Sequence, residues 1–181
     1  DLKPQLAKNV DLKLEYYYST GMVSARGYKK KITDYIGPSG RSGEIIPAGG
    51  NNGFDGLYEG YEIIQATNMG FATYRGLELD FRQRLTFLPG ALRGLTVRAN
   101  YTRLKTEGNF GGTLNLVDGQ LANFIPRSYN VGLMYTYKNF GASYDVNYQG
   151  GWPVLNVSTT APAGNRFREP WTVQNVSFSY K

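Results

Sequence analysis

The segment from Val10 to Tyr18 alternates apolar and polar residues with a period of two. Val10, Leu12 and Leu14 occupy every second position, and charged residues stand between them. In an extended chain this period places the two sets on opposite faces of a strand. The segment therefore predicts a β-strand with one charged face and one apolar face that is edged by tyrosine.

The same pattern returns along the 181-residue chain and predicts seven strands. They cover residues 9–19, 22–36, 73–88, 95–105, 128–138, 141–149 and 172–181. Tight connections and long connections alternate between them, so all tight turns fall at one end of an antiparallel sheet. The predicted fold class is all-β, an antiparallel up-and-down meander. The chain has no apolar run that is long enough for a membrane-spanning helix.

Two architectures fit such a sheet. One is half of a soluble sandwich, and the other is the wall of a barrel whose apolar face meets lipid. Fifteen tyrosines and nine phenylalanines stand beside a mean hydropathy of -0.41. Outer-membrane barrels combine aromatic girdles, polar interiors, short turns at one end and long loops at the other. The segregated loop lengths and the aromatic residues thus favour the barrel over the sandwich.

The composition excludes several kinds of active site. The chain contains no cysteine and no histidine, which removes thiolate catalysis, the usual zinc sites and a Ser-His-Asp triad. The net charge of +6 is scattered, and no nucleic-acid-binding signature accompanies it. We find no catalytic constellation, and we expect neither enzymatic activity, nor a cofactor, nor nucleic-acid binding.

Three groups of residues are candidates for function. Side chains that would line a barrel lumen are Glu78, Asp80, Arg82, Arg84, Arg98, Asn100, Asp145 and Asn147. Aromatic residues of an interfacial girdle or of the loops are Tyr16, Tyr18, Tyr137, Trp152, Phe167 and Trp171. The run Lys29, Lys30 and Lys31 lies near the long-loop end of its strand. It predicts either contact with anionic lipopolysaccharide at the outer rim or an ordinary solvated charge run.

Short segments in one consistent order carry a family resemblance. Leu-Lys-Pro-Gln at 2–5 leads into Asn-Val-Asp-Leu-Lys-Leu-Glu-Tyr-Tyr at 9–17. Further along come Lys-Lys-Ile-Thr-Asp-Tyr-Ile at 30–36, Gly-Leu-Glu-Leu at 76–79, Phe-Leu-Pro-Gly at 87–90, Leu-Thr-Val-Arg-Ala-Asn-Tyr-Thr at 95–102 and Ile-Pro-Arg-Ser at 125–128. Together, these segments resemble motifs of TonB-dependent receptors, and the resemblance extends over nearly the whole chain.

The resemblance implies a transmembrane barrel of about 22 strands with a plugged lumen. Such a receptor imports scarce nutrients, namely siderophore-bound iron, cobalamin or a glycan, through the outer membrane of a Gram-negative bacterium with TonB-coupled energy. Residues 1–181 would form a partial barrel domain from the C-terminal third, without the plug domain and the closing strands.

The resemblance also implies a set of partners. They are outer-membrane lipid and lipopolysaccharide, the plug domain of the same protein, TonB-ExbB-ExbD through an absent N-terminal part, and a small-molecule or oligosaccharide substrate. Two alternatives remain open at this point. One is a soluble or surface antiparallel β binding module of the carbohydrate-binding type, and the other is a passive porin-like barrel.

Overall fold

One antiparallel sheet of seven strands dominates the protein. The computed structural model describes residues 2–36, 41–50, 52–66, 68, 70–109, 121, 123–154 and 165–181. The strands, in chain order, are β1 (Leu6–Tyr18), β2 (Gly21–Thr33), β3 (Arg41–Ile45), β4 (Glu62–Ala66), β5 (Phe71–Arg84), β6 (Leu95–Asn109), β7 (Arg127–Tyr137), β8 (Phe140–Gln149), β9 (Trp152–Pro153), β10 (Phe167–Arg168) and β11 (Trp171–Tyr180). None of the described segments is a helix with the length and apolar character that crossing a bilayer requires.

The main sheet has the strand order β1-β2-β5-β6-β7-β8-β11. Every neighbouring pair in it is antiparallel. The pairs β3–β4 and β9–β10 are small separate hairpins within two of the long connections. The predicted all-β antiparallel meander is confirmed. The short connections β1–β2, β5–β6 and β7–β8 all lie at one end of the strands, which we call the short-turn end. The long connections lie at the opposite end of the strands, which we call the long-loop end.

Two of the seven predicted strands end three or four residues earlier than expected. Strand β2 stops at Thr33 rather than at residue 36, because Asp34 adopts a φ of 52°, which takes the chain out of extended geometry. Strand β5 stops at Arg84 rather than at residue 88. There the amide of Leu88 donates to the carbonyl of Leu85 over 3.1 Å. A short 3₁₀ helix, Gly90–Gly94, follows this turn.

The register separates the residues of the sheet onto two faces. One cross-strand row on what we call the apolar face contains Leu14, Ala25, Leu79, Tyr101, Tyr129, Tyr148 and Thr172. The adjacent row on the polar face contains Glu15, Ser24, Asp80, Asn100, Asn130, Asn147 and Val173. The alternation read from the sequence therefore stays in phase from β1 to β8, whereas at the start of β11 Thr172 lies on the apolar face and Val173 on the polar face.

The apolar face has no second layer packed against it among the described residues. Val10 and Leu14 are 72% and 67% exposed. The buried apolar side chains of the described residues are Ile32, Ile46, Ala72 and Leu121, and none of them lies on the apolar face. A sandwich would stack a second sheet about 10 Å away. The described residues therefore form a single-layered sheet and not the two packed sheets of a sandwich.

Candidate functional site

Arg26 connects three strands on the polar face. Its Nη2 lies 2.5 Å from Oδ2 of Asp11 on β1, and its Nη1 lies 3.1 Å from Oε2 of Glu78 on β5. The planar guanidinium fork can serve two carboxylates at once. Arg26 was absent from the predicted lumen residues because residues 22–36 alternate weakly in the sequence. The sequence signal for its polar-face position was that it stands between Ala25 and Gly27, two small residues of the opposite face.

Arg98 and Asp145 form a second ion pair on the same face. Nε and Nη2 of Arg98 donate to Oδ1 of Asp145 over 3.2 Å and 2.7 Å. Gly132 lies between them in the register, opposite both Arg98 and Asp145. A Cβ at position 132 would lie 2.6 Å from Nε of Arg98 and 2.3 Å from Oδ1 of Asp145. The pair thus depends on the absence of a side chain on the strand that separates its members.

The other predicted lumen residues divide into bonded and open groups. Asp80 accepts a hydrogen bond from the hydroxyl of Ser24 over 3.3 Å, and Asn147 accepts one from the amide of Asn130. Arg82, Arg84 and Asn100 lie on the polar face and are exposed. Their side chains form no hydrogen bond or ion pair with any residue that the structure describes. These three are therefore the members of the set that remain open to water or to a ligand.

Tyr16 and Tyr18 lie on the apolar face at the short-turn end, with ring centroids 5.8 Å apart. The hydroxyl of Tyr18 donates to Oε1 of Gln83 over 2.7 Å, and Nε2 of Gln83 donates to the hydroxyl of Thr20 over 2.9 Å. Gln83 is a polar residue on the apolar face of β5, two positions after Phe81. Its amide is satisfied by neighbours in the sheet and the turn, which explains how it is tolerated there.

Tyr137 belongs to a wider aromatic group at the same end. Its ring centroid lies 6.5 Å from that of Tyr135. Phe140 pairs with Tyr137 in the register, and its ring lies 6.4 Å from that of Phe178. Phe140, Phe178 and Tyr180 were not among the predicted girdle residues. Phe178 and Tyr180 lie two positions apart on β11, and Tyr180 pairs with Phe140 of β8, which places all three with the tyrosines.

Trp152, Phe167 and Trp171 lie at the long-loop end, away from this group. Trp152 in β9 pairs with Arg168, whose Cζ lies 5.6 Å from the indole centroid, and Phe167 pairs with Pro153. Trp171 begins β11 opposite Gln149, which puts it in a polar-face row. Trp152 and Phe167 are thus loop aromatics by position. A girdle or stacking role for these three residues stays a prediction.

The lysine run divides between the two faces. Lys29 pairs with Val10 and Arg75, so it lies on the same side of the sheet as the apolar face. It is closer to the long-loop end than the apolar row of Leu14 and Ala25. Lys31 shares this side, whereas Lys30 pairs with Tyr74 on the polar-face side. The three sequential lysines therefore do not form one surface.

A small hydrophobic cluster covers part of the polar-face side of the sheet at the long-loop end. Leu121, which is 2% exposed, packs with Ile32 and Ala72, and the ring of Phe124 lies 4.9 Å from that of Tyr74. The backbone amide of Leu121 donates to Oγ1 of Thr106 over 3.1 Å. The end of the β6–β7 connection is thereby held against the sheet. No group of three potential metal ligands occurs in the described part of the chain.

A sequence model of one protein family matches the whole chain. Its description is "TonB dependent receptor-like, beta-barrel", and the match extends over residues 1–181. The chain belongs to the TonB-dependent receptor family. A comparison with curated proteins found no match.

Solved structures share the TonB-dependent receptor fold at low sequence identity. The FrpB iron transporter from Neisseria meningitidis (F3-3 variant) matches 99% of this chain with 17% identity and a TM-score of 0.63. The copper transporter OprC matches 100% of it with 17% identity and a TM-score of 0.67. The ferric yersiniabactin uptake receptor FyuA from Yersinia pestis matches 97% with 12% identity and a TM-score of 0.66. This chain spans 24%, 23% and 22% of these three structures.

Proposed function

We propose that this chain supplies seven consecutive strands to the barrel of an outer-membrane receptor that imports a scarce nutrient with TonB-coupled energy. The observation that carries the proposal is the two-faced sheet. Among the described residues nothing covers its apolar face, while its polar face holds the ion pairs of Arg26 and Arg98. A bilayer on one side and a wet, plugged lumen on the other would satisfy both faces at once.

The strand lengths support a spanning role. The seven strands of the main sheet contain between 10 and 15 residues. A tilted transmembrane strand needs about 9–11 residues. Each strand could therefore cross the hydrocarbon layer, and the longer ones would extend beyond it at the long-loop end.

The polar face has two tasks in this proposal. Arg26 and Arg98 would tie neighbouring strands together inside the lumen, where each guanidinium faces a carboxylate. Arg82 and Arg84 would remain available to a plug domain of the same protein or to a substrate that passes between plug and wall. Ligand capture would fall to the long connections and to the cluster around Leu121.

A passive porin-like barrel is the alternative that shares this wall. It differs by the absence of a plug and of TonB dependence. The coding sequence on either side of this segment in its gene distinguishes the receptor from the porin. A plug-coding segment upstream supports the receptor, and a barrel gene without one supports the porin.

Uptake in living cells tests the function itself. A strain that lacks the full-length protein is compared with its parent on ferric siderophores, cobalamin, copper and oligosaccharides as limiting nutrients. We expect a growth defect on one class, restored by the gene in a TonB-positive strain but not in a TonB-negative one. Restoration that is independent of TonB would contradict the proposal.

A further inference from the structure

The connection between β3 and β4 carries three exposed aromatic side chains, Phe54, Tyr58 and Tyr61, which we call the loop aromatics. Tyr58 and Tyr61 are 57% and 67% exposed. The ring centroid of Tyr58 lies 6.0 Å from those of Phe54 and Tyr61, and both contacts are T-shaped. A contiguous group of large exposed apolar side chains marks a binding surface more often than a scattered set does.

The side chain of Asn52 holds the backbone around the loop aromatics in one conformation. Its Nδ2 donates to the carbonyl oxygens of Pro47 and Leu57 over 3.3 Å and 3.0 Å. Its Oδ1 accepts from the backbone amides of Phe54 and Gly56 over 2.9 Å and 3.1 Å. A surface that is already ordered in this way loses less conformational entropy when it binds a ligand.

Ile46 closes the base of the same connection. Its amide donates to the carbonyl of Tyr61 over 2.9 Å, and the amide of Gly60 donates to the carbonyl of Ile46 over 3.0 Å. Between these bonds Tyr58 adopts a φ of 61°, a left-handed conformation that is uncommon for a bulky residue. Such conformations persist where the surroundings enforce them, and they concentrate at ligand sites.

A carboxylate directly follows each of the loop aromatics in the sequence. The three carboxylates are Asp55, Glu59 and Glu62. All three are exposed, and they form no ion pair with any residue that the structure describes. Residues 42–74 contain four carboxylates and neither lysine nor arginine, although the whole chain has a net charge of +6. The loop aromatics therefore stand in the negatively charged part of a basic protein.

Aromatic rings and carboxylates favour the same class of ligand. A cation over the face of a tyrosine or phenylalanine ring is attracted by the ring quadrupole, and nearby carboxylates add Coulombic attraction. A metal chelate with a net negative charge would be repelled, because residues 42–74 supply no compensating cation. A bare metal ion fits poorly as well, since the described residues contain no group of three potential metal ligands. An organic cation satisfies both features.

We propose that the β3–β4 connection captures an organic cation, that is, a nutrient with an ammonium or quaternary ammonium group. The positive group would lie against the rings of Tyr58 and Tyr61, and Glu59 and Glu62 would balance its charge. The negative charge of the segment would also raise the local concentration of such a ligand at the outer end of the barrel. The inference rests on the proposed import function and names the class of its substrate.

Ligand-observed NMR on the wild-type full-length protein in detergent tests the requirement for charge. The probes are choline and 3,3-dimethyl-1-butanol, an uncharged molecule of nearly the same shape. Choline should bind at least about fivefold more tightly than its uncharged counterpart, and its affinity should fall as the salt concentration rises. Equal affinities for the two probes, or no binding of choline, would overturn the proposal.

Aromatic variants test where choline binds. Y58A/Y61A should abolish the binding, whereas Y58F/Y61F should retain it, because the rings remain. Y17A is the matched control, since it removes an exposed tyrosine of the polar face, outside this connection. We expect Y17A to bind choline as the wild type does. Full binding by Y58A/Y61A would place the cation elsewhere and contradict the proposal.

Carboxylate variants test the charge of the site separately. D55N/E59Q/E62Q should weaken choline binding at least about threefold and remove most of its salt dependence. E169Q is the control, because Glu169 is an exposed carboxylate in a different long connection, between β10 and β11. It should leave both quantities unchanged. An unaltered affinity and salt dependence in the triple variant would show that these carboxylates do not hold the cation.

Uptake separates a failure of this inference from a failure of the proposed function. TonB-dependent import of a cationic organic nutrient, weakened in cells with D55N/E59Q/E62Q, would support both. TonB-dependent import of an anionic, uncharged or inorganic nutrient would refute this inference alone. Import that is independent of TonB would refute the proposed function, and the choline titration would still decide whether the loop aromatics bind a cation.

Discussion

Arg98 and Asp145 bind each other across the strand that separates them, with 2.7 Å between Nη2 and Oδ1. The arginine on β6 passes over Gly132 of β7 to reach the carboxylate on β8. Three strands are thereby joined through two side chains. An exposed ion pair of this kind contributes less than about 1 kcal/mol, which limits what its disruption can cost.

Gly132→Ala should lower the stability of the full-length protein by at most about 1 kcal/mol, because the new methyl group displaces the side-chain ends of both ion-pair partners. The unfolding transition followed by circular dichroism in detergent measures this loss. Gly27→Ala is the matched control in another strand of the sheet, since its Cβ would enter open space. We expect no loss of melting temperature there. Equal melting temperatures for the two variants would show that the overlap is relieved at no cost.

Tyr28 covers Gly76 in a second cross-strand relationship of this type. A Cβ on Gly76 would lie 2.1 Å from Cζ of Tyr28. Gly76→Ala should therefore cost about 1–3 kcal/mol in the wild-type background. In a Tyr28→Ala background the same change should cost less, with a coupling energy of about 0.5–3 kcal/mol. A double-mutant cycle of unfolding free energies measures the coupling, and additive effects would argue against contact between the ring and the glycine.

Ala99 and Asn100 are neighbours in the chain and lie on opposite faces. Because the chain contains no cysteine, single cysteines at these positions report their surroundings without background from this segment. In intact outer membranes, Asn100→Cys should react with a charged, water-soluble maleimide if the lumen is open there. Ala99→Cys should be protected by lipid and become reactive in denaturant. Equal labelling of both positions would contradict a membrane-spanning wall.

Leu121→Ala should loosen the end of the β6–β7 connection. The side chain is buried against Ile32 and Ala72, and truncation in a cluster of this kind costs about 2 kcal/mol or more. Hydrogen exchange should rise in residues 123–126, while the centre of β7 keeps its protection. Leu12→Ala is the control, since Leu12 is 65% exposed on the apolar face. Unchanged exchange in 123–126 would mean that the cluster does not hold this segment.

The strands and their faces were accessible from the sequence because period-two alternation is a local property. Residues 10–18 and 129–137 assign their own faces without reference to any other strand. The ends of the strands were harder to predict from the sequence. Nothing in residues 85–88 signals the turn strongly, since Leu85 and Phe87 continue the apolar spacing into it. The small hairpins β3–β4 and β9–β10 were also missed, because pairs of two to five residues carry too little pattern.

The candidate site was accessible in part for the same reason. Glu78, Asp80, Arg98 and Asp145 could be placed on the polar face, but their partners could not be chosen. The family was reachable through ordered motifs, and the family match over residues 1–181 confirms it. The faces of Arg26 and Lys30 were obscured by the weak alternation of residues 22–36.

The sequence by itself determined an antiparallel meander with one apolar face, because that information repeats within each strand. The tertiary structure decided which strands stand side by side in register, and that decision is not local. It brought Arg98 to Asp145 from 47 positions away, set Trp171 in a polar-face row, and aligned Lys29, Arg75 and Lys105. Register depends on loop lengths and on pairing along whole strands, so no single segment encodes these contacts.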